Sequence, residues 1–171
     1  MASYNKEKMT ELDFRLLQKK YSTEELEEVL AKIDDDYPVQ YAIGDVDFLG
    51  CKIGVDERVL IPRFETELLV VKLLELISQK GFSNPVILDI CSGSGCIAIS
   101  LQKKLGKCAV YGLDKSGLAL ELAKENAREN DSIVTFLEMD VLEGITLSEK
   151  CDVLVSNPPY VRRDEPVSLN T

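Results

Sequence analysis

The chain has 171 residues, 45% hydrophobic and 29% charged, a balance that excludes a disordered tail and suits a globular domain with a core. It contains no histidine, which excludes Ser-His-Asp triads, Cys-His pairs, zincin motifs and His-ligated metals, and no metal site is expected. Lys and Arg number 20 against 30 Asp and Glu; the net charge of −10 is the wrong field for neutralising phosphates, so direct nucleic-acid binding is not expected.

Residues 1 to about 36 read as helical and polar. Met9, Leu12, Leu16 and Leu17 recur at helical spacing. Ser22-Thr23-Glu24-Glu25 reads as a capping box, with Leu26, Val29, Leu30 and Ile33 as the apolar stripe behind it. Asp34-Asp35-Asp36 opposes the helix dipole, so the helix should end before it. Two short helices bury little alone, and this segment needs a docking partner. Tyr37-Pro38 marks a boundary. Val46 to Val55 reads as a hairpin around Leu49-Gly50. Ile61-Pro62-Arg63 is extended, and Thr66 to Ser78 is a strongly apolar helix.

From residue 85 the pattern turns to strand and helix in alternation. Strands are expected at 86–90, 108–113, 133–138 and 151–155, and helices at 95–105 (stopped by Gly106) and 116–130, with Leu118, Leu122 and Ala123 inward. This order argues an α/β fold with a parallel sheet covered on both faces. The expected organisation is a helical segment over 1–37, a β-hairpin linker over 38–58, and a larger domain over 59–171. The five cysteines form no C-x-x-C, no signal peptide is apparent, and no stretch of about 18 apolar residues occurs. Reduced thiols, a cytoplasmic location and no membrane span are therefore expected.

Four places carry chemistry. Asp89-Ile90-Cys91-Ser92-Gly93-Ser94-Gly95 follows a strand and opens a helix, where glycines let the backbone turn tightly and approach a ligand. Gly93, Gly95 and Ala98 would also suit NAD, but Asp89 would repel a pyrophosphate. S-adenosylmethionine (AdoMet) carries a sulfonium and an ammonium and no phosphate, so a carboxylate here suits it. An Asp-capped βα turn without a ligand fits the same residues. Asp114 ends the next strand, where an acid can hold ribose hydroxyls, or can cap the following helix unless Ser116 does so. Asp140 ends the third strand and could meet the adenine edge, or could simply be solvated. Asn157-Pro158-Pro159-Tyr160 ends the fourth. The Asn157 side-chain oxygen and the Pro158 carbonyl could accept both hydrogens of a planar NH₂ group, with Tyr160 stacked on its plane. A plain proline-rich turn is the alternative.

Asp-x-Cys-x-Gly-x-Gly together with Asn-Pro-Pro-Tyr resembles the AdoMet-dependent amino-group methyltransferases. Pro38-Val39-Gln40-Tyr41-Ala42-Ile43-Gly44, followed by Phe48 and Gly50, and Val59-Leu60-Ile61-Pro62-Arg63-Phe64-Glu65-Thr66-Glu67 resemble stretches of the HemK/PrmC family. The resemblance runs from about residue 38 to 160. It implies a Rossmann-like class I methyltransferase sheet and AdoMet as cofactor. It further implies transfer of a methyl group to the N5 amide of the Gln in the Gly-Gly-Gln loop of a peptide chain release factor. Asn157, Pro158 and Tyr160 would be catalytic. Asp89, Cys91, Gly93, Gly95, Asp114, Asp140 and Asn157 would bind cofactor, as would Arg63 and Thr66 by resemblance alone. An Arg63–Glu65 pair with Thr66 as helix N-cap is the plainer alternative. The helical segment would help recognise the release factor.

Phe64 stands where the family usually has Pro, and Cys91 where it usually has Gly. The family sheet has seven strands in the order 3-2-1-4-5-7-6, whereas four are counted here, so an incomplete sheet with an exposed fourth strand is expected. A DNA or RNA adenine N6-methyltransferase, with Arg162-Arg163 on a phosphate, and an inactive cofactor-binding fragment are the alternatives.

Overall fold

The computed structural model describes residues 9–34, 37–147 and 149–159. They form two compact units, one ending at Asp45 and the other spanning Val46–Pro159.

The first unit holds helices α1 (Glu11–Lys20), α2 (Thr23–Asp34) and α3 (Val39–Ile43). Thr10 and Asp13 cap α1 reciprocally, the Asp13 N–H donating to Thr10 Oγ1 and the Thr10 N–H to Asp13 Oδ2. The expected box at Ser22 and Glu25 opens α2, with the Ser22 N–H donating to Glu25 Oε2 at 2.9 Å. The core consists of Met9, Leu17, Ile33, Val39 and Ala42, with Phe14 and Tyr21 packed on it. Leu12 and Leu16 are exposed instead of buried. Helix α3 explains the difference. It is too short to show a period, yet Lys20 Nζ and Tyr21 Oη donate to the Ala42 carbonyl at 3.0 and 2.8 Å, which turns the Phe14-Leu17-Tyr21 face inward. Helix α2 runs through Asp34, one residue into the acidic run.

The expected hairpin of β1 (Asp45–Phe48) and β2 (Cys51–Gly54) belongs, apart from Asp45, to the second unit. Leu49 and Gly50 both take positive φ, 52° and 81°, the pair a two-residue turn between right-twisted strands requires. Helix α4 (Phe64–Lys80) starts two residues earlier than expected, with Arg63 at the N-cap position. Phe64 is therefore the first helical residue, the position where proline is best tolerated because its missing N–H has no helical partner. The Phe64 departure is thus mild. Thr66 lies inside the helix and is not its N-cap.

Strands β3 (Val86–Ile90), β4 (Ala109–Asp114), β5 (Thr135–Glu138) and β6 (Val153–Ser156) form one parallel sheet in the order β5-β4-β3-β6. Numbered along the chain this is 3-2-1-4, the first part of the expected order. Helices α5 (Cys96–Leu105) and α6 (Gly117–Glu129) follow β3 and β4. A Cβ on Gly95 would come within 3.0 Å of Phe136 and 3.2 Å of Ala123 and Ile99, so β5, α5 and α6 converge there and only glycine fits. Leu122 and Ala123 are buried as expected, but Leu118 is exposed. It sits in the first turn of α6, on the side away from that convergence.

The sheet is covered on both faces as expected, but among the described residues one of those faces carries no α-helix. Leu88, Ile90 and Leu113 cluster with Tyr111, Met139, Ile145 and Leu147, so the segment after β5 covers this face without a helix. Among the described residues β6 pairs only with β3, and its Leu154 is 58% exposed. No helix among the described residues is long and apolar enough to cross a membrane.

Candidate functional site

A cavity of about 480 Å³ opens where all four parallel strands end. Its wall takes Cys91 and Gly93 from the turn after β3, Asp114 to Ser116 from the turn after β4, Met139 to Leu142 from that after β5, and Asn157 to Pro159 from that after β6. Carboxyl ends of parallel strands are where open α/β sheets bind ligands, because the loops diverge there and the helix starts point inward.

The turn after β3 is closed by its own backbone. The Ser92 N–H donates to the Leu113 carbonyl at 3.0 Å and the Gly95 N–H to the Ser92 carbonyl at 2.8 Å. Cys91 takes φ 60°, the left-handed region that favours glycine, in keeping with the glycine usual in the resembling family. Its thiol is pushed up from the ordinary value, first by burial and then by Asp114 and Asp89, so it is a protonated wall group at neutral pH.

Asp89 stands beneath the cavity wall and not in it. It is 0% exposed and does not reach the cavity wall. As the fourth residue of a central strand it points into the layer beneath α5. Its Oδ2 accepts from Ser92 Oγ at 2.7 Å, while Oδ1 lacks a hydrogen bond of ordinary geometry. Burial pushes its carboxyl up to about 7; the Ser92 hydroxyl and the Ala98 N–H offset only part of that. The charge argument made from Asp89 therefore moves to other acids. Gly95 is likewise packed beneath the wall.

Asp114 is one of those acids. Its Oδ2 accepts from the Gly93 N–H at 2.9 Å and its Oδ1 from the Ser116 N–H at 3.0 Å. One carboxylate thus bridges the two turns, and each oxygen keeps a lone pair for a ligand hydroxyl. Ser116 caps α6 through the Ala119 N–H at 3.2 Å, so Asp114 is not needed as the cap. Asp140 also lines the cavity, and its Oδ1 accepts from the Leu142 N–H at 2.9 Å at the start of a single 3-10 turn (Val141–Glu143).

Asn157 and Pro158 stand at the far end of the wall. The Asn157 Nδ2 donates to Thr66 Oγ1 at 3.1 Å. This bond fixes which way the amide faces and leaves its oxygen as the uncommitted acceptor. Thr66 is itself buried and lies outside the wall, so the structure places it behind Asn157. Arg63 is off the wall as well. Tyr160, and with it Arg162 and Arg163, lies outside the described residues.

Arg58, Val59 and Leu60 also line the wall; Val59 and Leu60 were read only as part of the family-resembling stretch, and Arg58 was not singled out from sequence. Arg58 is oriented by Asp56, with Nε at 2.9 Å from Oδ1 and an Nη at 2.7 Å from Oδ2; the same contact holds the Asp56 carboxyl below its usual range. Arg58 is paired there, and the other charged groups of the wall are Asp114, Asp140 and Lys115. An acid and a base two residues apart in a loop carry no distinctive sequence signal.

The sequence profile of the family described as "Methyltransferase small domain" matches residues 65–169. The release factor glutamine methyltransferase of Flavobacterium psychrophilum is 44% identical over 140 residues, 81% of this chain and 49% of that protein. The release factor glutamine methyltransferase of Streptococcus pneumoniae is 42% identical over 154 residues, 87% of this chain and 53% of its own length. That of Lactococcus lactis is 40% identical over 165 residues, 96% and 56% respectively. The chain spans about half the length of the curated relatives it matches. Among solved structures, the Thermus thermophilus 16S rRNA N2 G1207 methyltransferase, in complex with AdoMet and guanosine, aligns with a TM-score of 0.55 at 22% identity, covering 68% of this chain and 32% of that one. The Pyrococcus abyssi tRNA (uracil-54, C5)-methyltransferase, in complex with S-adenosyl-L-homocysteine, aligns at 0.54 and 22%, covering 67% and 27%. These two share the fold. Strand order, the glycine turn and the sequence relatives agree: the chain belongs to the methyltransferase small domain family, in its HemK/PrmC branch.

Proposed function

We propose that this chain holds AdoMet in the cavity at the strand ends and serves methyl transfer to the side-chain amide nitrogen of the Gln in the Gly-Gly-Gln loop of a release factor. The observation that carries the reading is Asp114, a carboxylate anchored by two backbone N–H groups and presented to a cavity whose other acid is Asp140. Such a wall offers paired acceptors to ribose hydroxyls, and the methyltransferase family match and fold neighbours favour AdoMet over a dinucleotide as the ligand that bears them. Asp114 would take the ribose hydroxyls, Asp140 the adenine side, and the Cys91–Gly93 turn the amino-acid portion. AdoMet supplies an electrophilic methyl on a positively charged sulfur.

The chain's own groups do the rest by positioning. An amide nitrogen is a poor nucleophile because its lone pair is delocalised into the carbonyl. Asn157 Oδ1 and the Pro158 carbonyl accept its two N–H bonds and favour a pyramidal nitrogen. Thr66 keeps Asn157 in the accepting orientation, and Tyr160 would stack on the amide plane. Orientation of this kind is worth about 7–11 kcal/mol in well-aligned reactions. The proton that nitrogen sheds as it takes the methyl group passes to solvent, because an N-methylated amide cation is strongly acidic, so no step needs a side-chain general base. The release factor as partner rests on the relatives' names, and a cytoplasmic setting fits the five free cysteines.

Calorimetric titration with AdoMet and with NAD, followed by labelled methyl transfer to a release factor, tests the proposal. AdoMet binding with transfer to the Gln is the expected result. NAD binding in its place, or transfer to DNA adenine alone, overturns it. Binding without turnover would favour the second reading, a cofactor-binding chain without activity, for which it speaks that β6 pairs only with β3 among the described residues.

A further inference from the structure

One buried amide outside the cavity wall joins the hairpin to the glycine turn. Asn126, on α6, is 1% exposed. Its Oδ1 accepts from the Gly54 N–H at 2.8 Å, and its Nδ2 donates to the Gly54 carbonyl at 3.0 Å and to the Ser94 carbonyl at 2.9 Å. One turn further along α6, Asn130 makes the same two-way contact with Lys52, accepting from its N–H at 3.0 Å and donating to its carbonyl at 2.7 Å. Four residues of helix rise about 6 Å and two residues of strand about 6.7 Å, so asparagines four apart match the free edge of β2. The fit is close: a Cβ on Gly54 would stand 2.7 Å from Asn126 Oδ1. The two amides differ in their further contact: Asn126 reaches the Ser94 carbonyl of the turn, whereas Asn130 Nδ2 donates to the Asn126 backbone carbonyl at 2.8 Å.

We infer that Asn126 is a positioning residue for the cofactor turn, holding the Ser94–Gly95 peptide in the orientation that shapes the cavity. This inference rests on the AdoMet reading above. The Ser94 carbonyl is buried just before α5, where a helix start offers it little, and leaving it unpaired is costly. Gly95 has φ 78°, and a glycine there lets the preceding peptide rotate at small steric cost. Rotation would turn the Gly95 N–H away from the Ser92 carbonyl and open the turn that presents Cys91 and Gly93. The Asn126 donor blocks that rotation by satisfying the carbonyl in one orientation, and the hairpin holds the asparagine in place.

The test compares Asn126→Ala and Asn126→Asp with Asn130→Ala in the whole chain. The Asp variant keeps the acceptor for the Gly54 N–H and the side-chain size but loses the donor, and it remains informative if the Ala variant fails to fold. Two quantities are read: the AdoMet dissociation constant by calorimetry and the hydrogen-exchange protection of the Gly95 amide by NMR. Both Asn126 variants are expected to raise the dissociation constant about tenfold and lower Gly95 protection about tenfold. Asn130→Ala is expected to lower Tm comparably while changing either readout less than about twofold. Equal Gly95 protection in all three variants, or an equal loss of affinity in Asn130→Ala, overturns the inference. Failure of the unaltered chain to bind AdoMet overturns the cofactor reading instead, and Gly95 protection then still decides the role of Asn126.

Discussion

The two ends of the cavity are built differently. At the β3–β4 end, strands flank strands on both sides, and the turn is closed by Ser92, Gly95 and the Asp114 carboxylate. At the β6 end, Asn157 and two exposed prolines follow a strand that is at the edge among the described residues, and the asparagine's side chain donates to Thr66, 91 residues earlier. The first end is specified by buried backbone pairing that also holds the domain together. The second depends on one side chain lent by a distant helix. Changes at the first end should therefore move binding and folding together, and changes at the second should move turnover alone.

The largest effect is expected at the second end. In enzyme competent for methyl transfer, Asn157→Ala should lower kcat by about 10²–10³, the usual loss when one preorganised polar group at the reacting centre is removed. The AdoMet dissociation constant should stay within about twofold, since the anchored carboxylate lies at the other end. Single-turnover rates with calorimetry measure the two quantities separately. A parallel loss of cofactor binding would erase the division between the ends.

A middle-sized effect is expected at the first end, in stability and with a defined pH dependence. The folded chain holds the Asp89 proton up to about pH 7, whereas an exposed Asp releases it near pH 4. Between those values the unfolded chain binds fewer protons than the folded one, so stability falls as pH rises through the window and levels off above it. The slope contributed is at most about 1.4 kcal/mol per pH unit. Asp89→Asn keeps the acceptor for Ser92 Oγ and cannot ionise, so its stability relative to the parent should rise from about pH 4 to 7. Urea unfolding of both proteins across that range measures the difference. Parallel profiles would mean that the Asp89 charge is not enclosed.

Much of the first end was legible in sequence because its determinants are local. The strand–glycine–helix spacing, the Ser116 cap and the acids at the strand ends all act within a few residues, and alternation argued the parallel sheet, whereas the strand order was implied by the family resemblance. What escaped depended on distant partners. The direction of Asp89 is set by the layer packed above β3, which spacing does not reveal. The Phe14-Leu17-Tyr21 face was missed for the same reason, since a five-residue helix that shows no period decides which side of α1 is buried. Thr66 was expected near the cofactor by resemblance, and only the fold reveals its hydrogen bond to Asn157. Asn126 and Gly54 are 72 residues apart. Each of them looks unremarkable in its own segment.

The smallest effect sharpens the contrast at Cys91. A side chain in the left-handed region costs roughly 1–2 kcal/mol. Glycine would relieve that cost but lose about 0.5–1 kcal/mol through the greater freedom of the unfolded chain. It would also lose the contact of the half-buried thiol with the Leu88-Ile90-Leu113 cluster. The terms nearly cancel, so Cys91→Gly should change stability by no more than about 0.5 kcal/mol. Cys91→Val has no such compensation, because a β-branched side chain at φ 60° crowds its own backbone; it should cost about 2 kcal/mol or more. Denaturant midpoints of the two variants at one pH test the pair. Equal tolerance of glycine and valine would show that the turn yields at this residue, and the rigidity assigned to the β3–β4 end would then have to reside in the Asp114 bridge and the Ser94–Gly95 peptide alone.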